Sequence, residues 1–447
     1  MIEEREAQKI SESIMRRCKG NSAEVTLEFY DSALTRFANN IIHQNVAEHD
    51  TQVTLRYFIG KQIGAASTNR LDETGLDKLV ERANANASSS PEDPNYPGLP
   101  APKEYKHVAA WDQNTASFSA EKRAKAVGEV CKLAVEKGLN ASGAFSTGGV
   151  VLVVANTNGV FTYHSQTNAD FQTVVMSNDS SGWTQDSAWN ADDLSIEARG
   201  REAIETALRG HNPKKADPGE YTVVLEHYAT DDLVSNLNFY GMGAQALQEG
   251  RSWMNDRIGQ KLMSPLISIW DDGLDIHGSP LPFDFEGVPK QRVDIIQQGV
   301  VMGPVYDRYS GAKEGKPSTG HATPINFRGF GPVAMNLFMA PGDARVEDMV
   351  AATKKGLYIN RFHYTRLVHP RECVITGMTR DGTFMIENGE LAYPVKSLRY
   401  TMPYVQAMAN VEAVGKEAHL LVGEFGGLSN SVPAVKISGF TFTGSTV

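Results

Sequence analysis

With 447 residues the chain has material for two or three domains, each able to enclose its own core. It carries 43 lysines and arginines against 53 aspartates and glutamates, a formal net charge of −10, and no local basic run, which excludes the electrostatic footprint of a nucleic-acid or anionic-membrane binder. Met1-Ile-Glu-Glu-Arg5 lacks the apolar stretch of a signal peptide, and the longest apolar run, Val150 to Ala155, is far too short to span a bilayer. Cys18, Cys131 and Cys373 lie far apart with no CxxC pair, so a reducing, cytoplasmic setting is expected.

Ala7, Ile10 and Ile14 have helical spacing and predict a first helix. Glu24 to Phe29, Gln52 to Tyr57 and the stretch from Gln62 after Gly60 alternate apolar and polar residues, as half-buried antiparallel strands do. A helix follows around Leu76, Leu79, Val80 and Ala83. Pro91, Pro94, Pro97 and Pro100 then recur every third residue, the period of polyproline II, and read as a stiff connector over 88–102 rather than a ligand for an aromatic groove. A helix from Ser119 to Lys137, a meander through Val150–Ala155, Val160–His164 and Phe171–Met176, and a helix from Leu194 to Leu208 that stops at Gly210 complete the first part. The turn-rich His211 to Gly219 marks a boundary.

Beyond it Tyr221 to Leu225 predicts a strand, then one long helix in which Leu233, Leu237, Tyr240, Ala244 and Leu247 form a stripe. Thr230, Asp231 and Asp232 suit its N-terminus by capping and by charge against the macrodipole. The remainder reads as short strands and turns broken by one helical stretch, Val346 to Lys355. The expected fold is α+β: an N-terminal α/β domain (1–215) with an antiparallel sheet and helices, and a C-terminal β-rich domain (216–447) with one prominent helix.

Several motifs have a chemical and a plainer reading. Gly241-Met-Gly-Ala-Gln-Ala246 matches GxGxxA but sits late in a helix, not after a strand, so close helix packing is the better reading. Ser310-Gly-Ala-Lys313 matches SxxK, as does Ser119-Ala-Glu-Lys122, and neither has the companion motifs of a serine acyl-transferase. No HExxH occurs. His363, His369 and Cys373 are a weak alternative metal set, because Pro370 interrupts the strand that would align them. Asp271-Asp272 and Asp284-Phe-Glu286 sit in Gly/Pro turns, where acids more often cap backbone amides than hold a cation.

Asp271-Asp-Gly273, Asp284-Phe-Glu-Gly-Val-Pro289, Gln298-Gly-Val-Val301, Ser318-Thr-Gly-His321, Gly356-Leu-Tyr-Ile359, the run Thr376 to Glu390 and Pro394-Val-Lys396 resemble, in order, the C-terminal domain of the TldD/PmbA (TldD/TldE) family. Arg36-Phe-Ala-Asn39 adds weaker support in the first domain. The family was formerly described as modulators of DNA gyrase. The resemblance implies an intracellular metalloprotease of unfolded peptides, a dimer of a metal-holding TldD-like subunit and a PmbA-like (TldE) subunit that holds none. In the former, HExxxH lies on the first helix of the C-terminal domain and a cysteine near the C-terminus completes the ligands.

Laid on this chain without gaps from Val223, the HExxxH positions are Ser235, Asn236 and Tyr240, and the cysteine position falls near Val422 in Leu421 to Gly426. The resemblance therefore implies a PmbA/TldE-like member lacking HExxxH, with no cofactor of its own, zinc in the partner, and a TldD-like HExxxH subunit as partner in a heterodimer, with a homodimer as the other possibility. A self-sufficient metallopeptidase and a peptide-binding protein that does not cleave are the alternatives. Asp284, Glu286, Thr319, Gly320 and His321 are expected near an extended peptide substrate, because glycine and short polar groups can bond peptide backbone.

Overall fold

The computed structural model describes residues 1–423 and 428–445. Six strands, β1 (Ser22–Ala38), β2 (Ile41–Ile59), β3 (Gln62–Thr68), β4 (Asn140–Asn156), β5 (Phe161–Met176) and β6 (Ser181–Ala188), form one antiparallel sheet in the order β3-β2-β1-β4-β5-β6. The predicted strands are all present but longer, and Val160–His164 and Phe171–Met176 fall on the same strand, Val160 just ahead of its start. Helices α1 (Glu4–Arg17), α2 (Glu73–Ser89), the short α3 (Gln113–Ala116), α4 (Ala120–Glu136) and α5 (Ile196–Arg209) accompany it.

One sheet face carries two cores. Ile14, Leu76 and Leu79 pack on Val25, Leu55, Val151 and Val153, and Val127, Val130 and Ile204 pack on Phe145 and Phe171. The other face of β4 presents Leu152 and Val154 to Phe283 and Phe285 from the second half of the chain. That is why Val150 to Ala155 reads as an unbroken apolar run rather than an alternating one: it is covered on both sides.

The proline-bearing stretch lies against the body as an extended strap. Lys61 donates to the Pro94 carbonyl (2.6 Å), Arg308 to that of Gly98 (2.9 Å) and Asn156 to that of Pro100 (3.0 Å), while Tyr96 stacks on Phe58. Gly98 has φ +79°, so the three-residue polyproline repeat ends there.

The second half builds one mixed sheet from β7 (Gly219–Leu225), β8 (Ile269–Asp271), β9 (Val293–Gln297), β10 (Val300–Val301), β11 (Asn336–Met339), β12 (Lys355–His369), β13 (Val374–Glu387), β14 (Glu390–Pro394), β15 (Leu398–Pro403), β16 (Val411–Val422) and β17 (Ser429–Ser445). β17 pairs with β15 on one edge (Tyr400↔Phe442) and with β7 on the other (Phe442↔Gly219), so β7, β12, β13, β15 and β17 close into a ring. Through its first residues β17 also holds β11 in parallel, and β11 leads on to β8, β9 and β10.

The long predicted helix is divided. α6 (His227–Leu237) gives way to a wider turn at Asn238–Met242, and only then comes α7 (Ala244–Gln248). The cause is local packing: Trp253 donates its indole N–H to the Leu237 carbonyl (2.8 Å) and lies so close to Gly241 that a Cβ there would stand 2.1 Å from its ring. Gly241 thus serves close packing, as the plainer reading of GxGxxA held.

Three further helices are short: α8 (Arg308–Glu314), α9 (Val346–Ala351, ending before Lys355) and α10 (Tyr404–Ala409). Ser310, the serine of one SxxK match, closes a capping box with Asp307 at the start of α8, and Ser119 caps α4. Among the described residues no helix is long and apolar enough to cross a membrane.

Candidate functional site: the half-buried face of the first C-terminal helix

β7 feeds the chain into α6, whose N-cap is Glu226. Asp231 and Asp232 therefore lie one turn inside the helix rather than at its cap, and the capping role expected of them falls to Glu226. Tyr228, Ala229, Leu233, Val234 and Leu237 are buried in the main core. The opposite, half-buried face carries Asp231, Asp232, Ser235 and Asn236, with Tyr240 on the wider turn that follows.

Every group on this face except Tyr240 is tied to a neighbour. Asn430 on β17 donates one amide hydrogen to Asp231 Oδ1 (2.6 Å) and the other to Ser235 Oγ (2.7 Å). Asn236 donates to the Asp232 carbonyl (2.8 Å) and to its Oδ1 (3.2 Å). Asp232 also accepts from Tyr404 (2.6 Å) and Thr365 (2.9 Å), and the Tyr404 hydroxyl meets that of Tyr400 (2.6 Å). Burial pushes the Asp231 carboxyl up to about 7 and that of Asp232 up to about 6, against the pull of these hydrogen bonds.

Zinc is held by imidazole, thiolate and carboxylate donors. The three HExxxH positions offer a hydroxyl, an amide and a phenol, and the two neighbouring carboxyls are engaged by Asn430, Tyr404 and Thr365. The donor set does not fit the metal. Val422 pairs with Ser429 at the end of the β16–β17 hairpin, and Glu424 to Gly426 of the expected cysteine region lie outside the described residues.

His363, His369 and Cys373 are not gathered into a site. His369 is exposed at the end of β12, Cys373 is fully buried with φ +45°, and bulges interrupt the pairing between them. Among the described residues no group of three or more His, Cys, Asp or Glu side chains is arranged to hold a metal ion.

Of the expected peptide-path residues, Asp284, Glu286, Gly320 and His321 are buried and Thr319 is half-buried. Asp284 accepts from the backbone amides of Glu286 and Val288 and, through its other oxygen, from Ala322 (2.9 Å each), which is turn chemistry. Glu286 pairs with Arg328 (2.9 Å) and Arg56 (3.4 Å), and Arg56 with Glu24 (2.9 Å), a network joining the first sheet to loops of the second half. His321, wholly buried, bonds Asp271 through Nε2 (2.8 Å) and Thr319 through Nδ1 (2.9 Å), and Lys290 stands 3.5 Å from the same Asp271 oxygen. Gly320 lets this turn approach the Pro289 carbonyl, 2.7 Å from where a Cβ would sit. Asp284, Glu286 and His321 thus hold loops and domains together instead of facing a groove.

For Asp231 and Asp232 the sequence does carry a signal: their spacing of four from Ser235 and Asn236 places all four on one helix face. Asn430 and Thr365 come from distant strands and Tyr404 from α10, and they carry no local signal.

The comparisons with known proteins agree with this architecture. Residues 218–444 match the PmbA/TldA metallopeptidase C-terminal domain, residues 23–87 its domain 1 and residues 114–210 its central domain. The chain belongs to the PmbA/TldD metallopeptidase family. The metalloprotease PmbA homolog of Haemophilus influenzae is 24% identical over 392 residues, 83% of this chain and 82% of that protein. A metalloprotease of Methanothermobacter thermautotrophicus is 25% identical over 241 residues, 53% of this chain, and the match spans only about half (52%) of that relative. The crystal structure of TldE from Thermococcus kodakarensis has the same fold, with a TM-score of 0.88, 18% identity, and coverage of 97% of this chain and 100% of that one.

Proposed function

We propose that this chain is a non-catalytic, PmbA/TldE-like subunit of a cytoplasmic TldD-type metalloprotease that processes or degrades unfolded peptides. One observation carries the reading: on the helix face that holds the metal in a TldD-like subunit, Ser235 and Asn236 at two ligand positions are hydrogen-bonded to neighbouring side chains, and the third position is Tyr240. The fold shared with TldE and the similarity to a PmbA homolog support it. In this reading zinc belongs to an HExxxH-bearing partner. The chain's own part is to dock that partner, with the closed ring as a rigid support and the α6 face kept in one arrangement by Asn430 and Tyr404.

The test is to co-express the chain with an HExxxH-bearing family member from the same genome. A stable complex that cleaves an unfolded peptide, with no cleavage by this chain alone, is expected. Chelator-sensitive cleavage by this chain alone would overturn the proposal.

A further inference from the structure

β2 runs for 19 residues, but β3 covers its outer edge only along Val53–Ile59. Among the described residues no strand pairs with β2 on that side from Ile41 to Gln52. The register shows which backbone groups point outward. Ile59 and Gln62 flank a two-residue turn as a hydrogen-bonded pair, so the odd-numbered residues from Ile59 back to Asn45 turn N–H and C=O away from β1. The Thr51 amide agrees, because it donates to its neighbour Asp50 Oδ1 (2.8 Å). Asn45, Ala47 and His49 have no such substitute, and among the described residues their outward backbone groups meet no partner. Register with β1 is unbroken from Gln44 to Phe58, so these groups form a straight row.

Sheet edges are ordinarily blunted by shortness, bulges or cover. Here the one bulge lies beyond Gln44, and Asn45 to Asp50 are exposed except for half-buried Val46. A row of donors and acceptors at strand spacing is matched by one kind of partner, another extended main chain. The neighbouring side chains add a charge preference. Glu48, Asp50 and Glu28, the last opposite Gln52, share one sheet face, and among the described residues none of the three is in an ion pair. Arg36, opposite Gln44, is the single cation on that face between Gln44 and Gln52. A partner strand with cations on this face is complementary to it.

We propose that the outer edge of β2 from Asn45 to Thr51 takes up an extended peptide as an added strand, with lysine or arginine at every second position beside Glu48 and Asp50. Its biological sense rests on the peptide-processing reading, though not on the partner subunit. The probe is a blocked heptapeptide of alternating lysine and valine, added to the whole chain and followed by calorimetry and hydrogen exchange. Slower exchange over residues 45–51 is expected, with binding at least about tenfold weaker when glutamate replaces lysine.

Two N-methylated forms of the peptide test the main-chain bonds without altering the protein. In an antiparallel added strand the residues opposite Ala47 and His49 share their face, so valine amides point at β2 and lysine amides away. Methylated valines should weaken binding about tenfold and methylated lysines less than about threefold; the reverse order marks a parallel strand. Equal effects of the two methylations, or unchanged exchange over 45–51, overturn the proposal. Equal binding of the glutamate peptide overturns the charge preference. Self-association that protects 45–51 without peptide gives the edge to a second copy of this chain and overturns the peptide assignment. Failure to pair with an HExxxH subunit while 45–51 still responds to peptide refutes the subunit reading alone.

Discussion

Tyr404 on α10 donates its hydroxyl to Asp232 on α6 at 2.6 Å, tying the first helix of the C-terminal half to its last helix across the core. The bond does not suffice to keep the acid in the ordinary carboxylate range: burial holds Asp232 at about 6 and Asp231 at about 7.

Both folded-state values lie above the ~3.9 of an unfolded aspartate, so the folded chain binds more protons than the unfolded chain between those limits. The stability they favour is fully present below about pH 4 and is lost as pH rises through 6 to 7. Denaturant titrations of Asp231→Asn against the unaltered chain should show the variant gaining roughly 3–4 kcal/mol in relative stability from pH 4 to pH 8. A pH-independent difference would show that neither burial nor the Asp232 charge governs Asp231.

Glu24 and Arg56 on the first sheet form a cluster with Glu286 and Arg328 from loops of the second half. Removing one member leaves unpaired buried charge, so Glu286→Ala should cost about 3–5 kcal/mol, measured by urea unfolding. A loss under about 1 kcal/mol would mean that the cluster is wet and holds nothing.

His321 offers a sharper contrast, because the sequence alone invites a substrate role. Its ring is enclosed between Asp271 and Thr319. His321→Ala should lower stability by about 1–3 kcal/mol, through the acceptor left unmet on Asp271, while peptide cleavage by a reconstituted complex keeps its KM. Raised KM with unchanged stability would return His321 to the peptide path.

Gly241 is equally specific. Gly241→Ala places a methyl against the Trp253 ring and should cost about 1–3 kcal/mol, with a change in tryptophan emission as the indole shifts. Unaltered stability and emission would show that the turn between α6 and α7 has another cause.

These residues also mark what could be read from the chain in advance. Apolar periodicity located α1, α2, α4 and α5 and the strands around Val25, Leu55 and Val151, because each of those patterns is set by one neighbouring layer. The break after Leu237 was hidden, since it depends on an indole that arrives from a later loop. An aspartate near a helix start looks alike at the cap and one turn inside, so Asp231 and Asp232 could not be placed until Glu226 was seen to take the cap. The family motifs with Glu286 and His321 were legible as motifs, but their buried pairing was not, because it is made by Arg56, Arg328 and Asp271 from distant elements.

Whether the α6 face holds a metal decides between a subunit without a catalytic centre and a self-sufficient peptidase. The direct measurement is the zinc content of the tag-free chain, purified alone and dialysed without chelator, by elemental mass spectrometry. Well under one zinc per chain is predicted, because Ser235, Asn236 and Tyr240 offer no zinc-type donors. Close to one zinc per chain, lost on substituting Asp231 or Asp232, would contradict it.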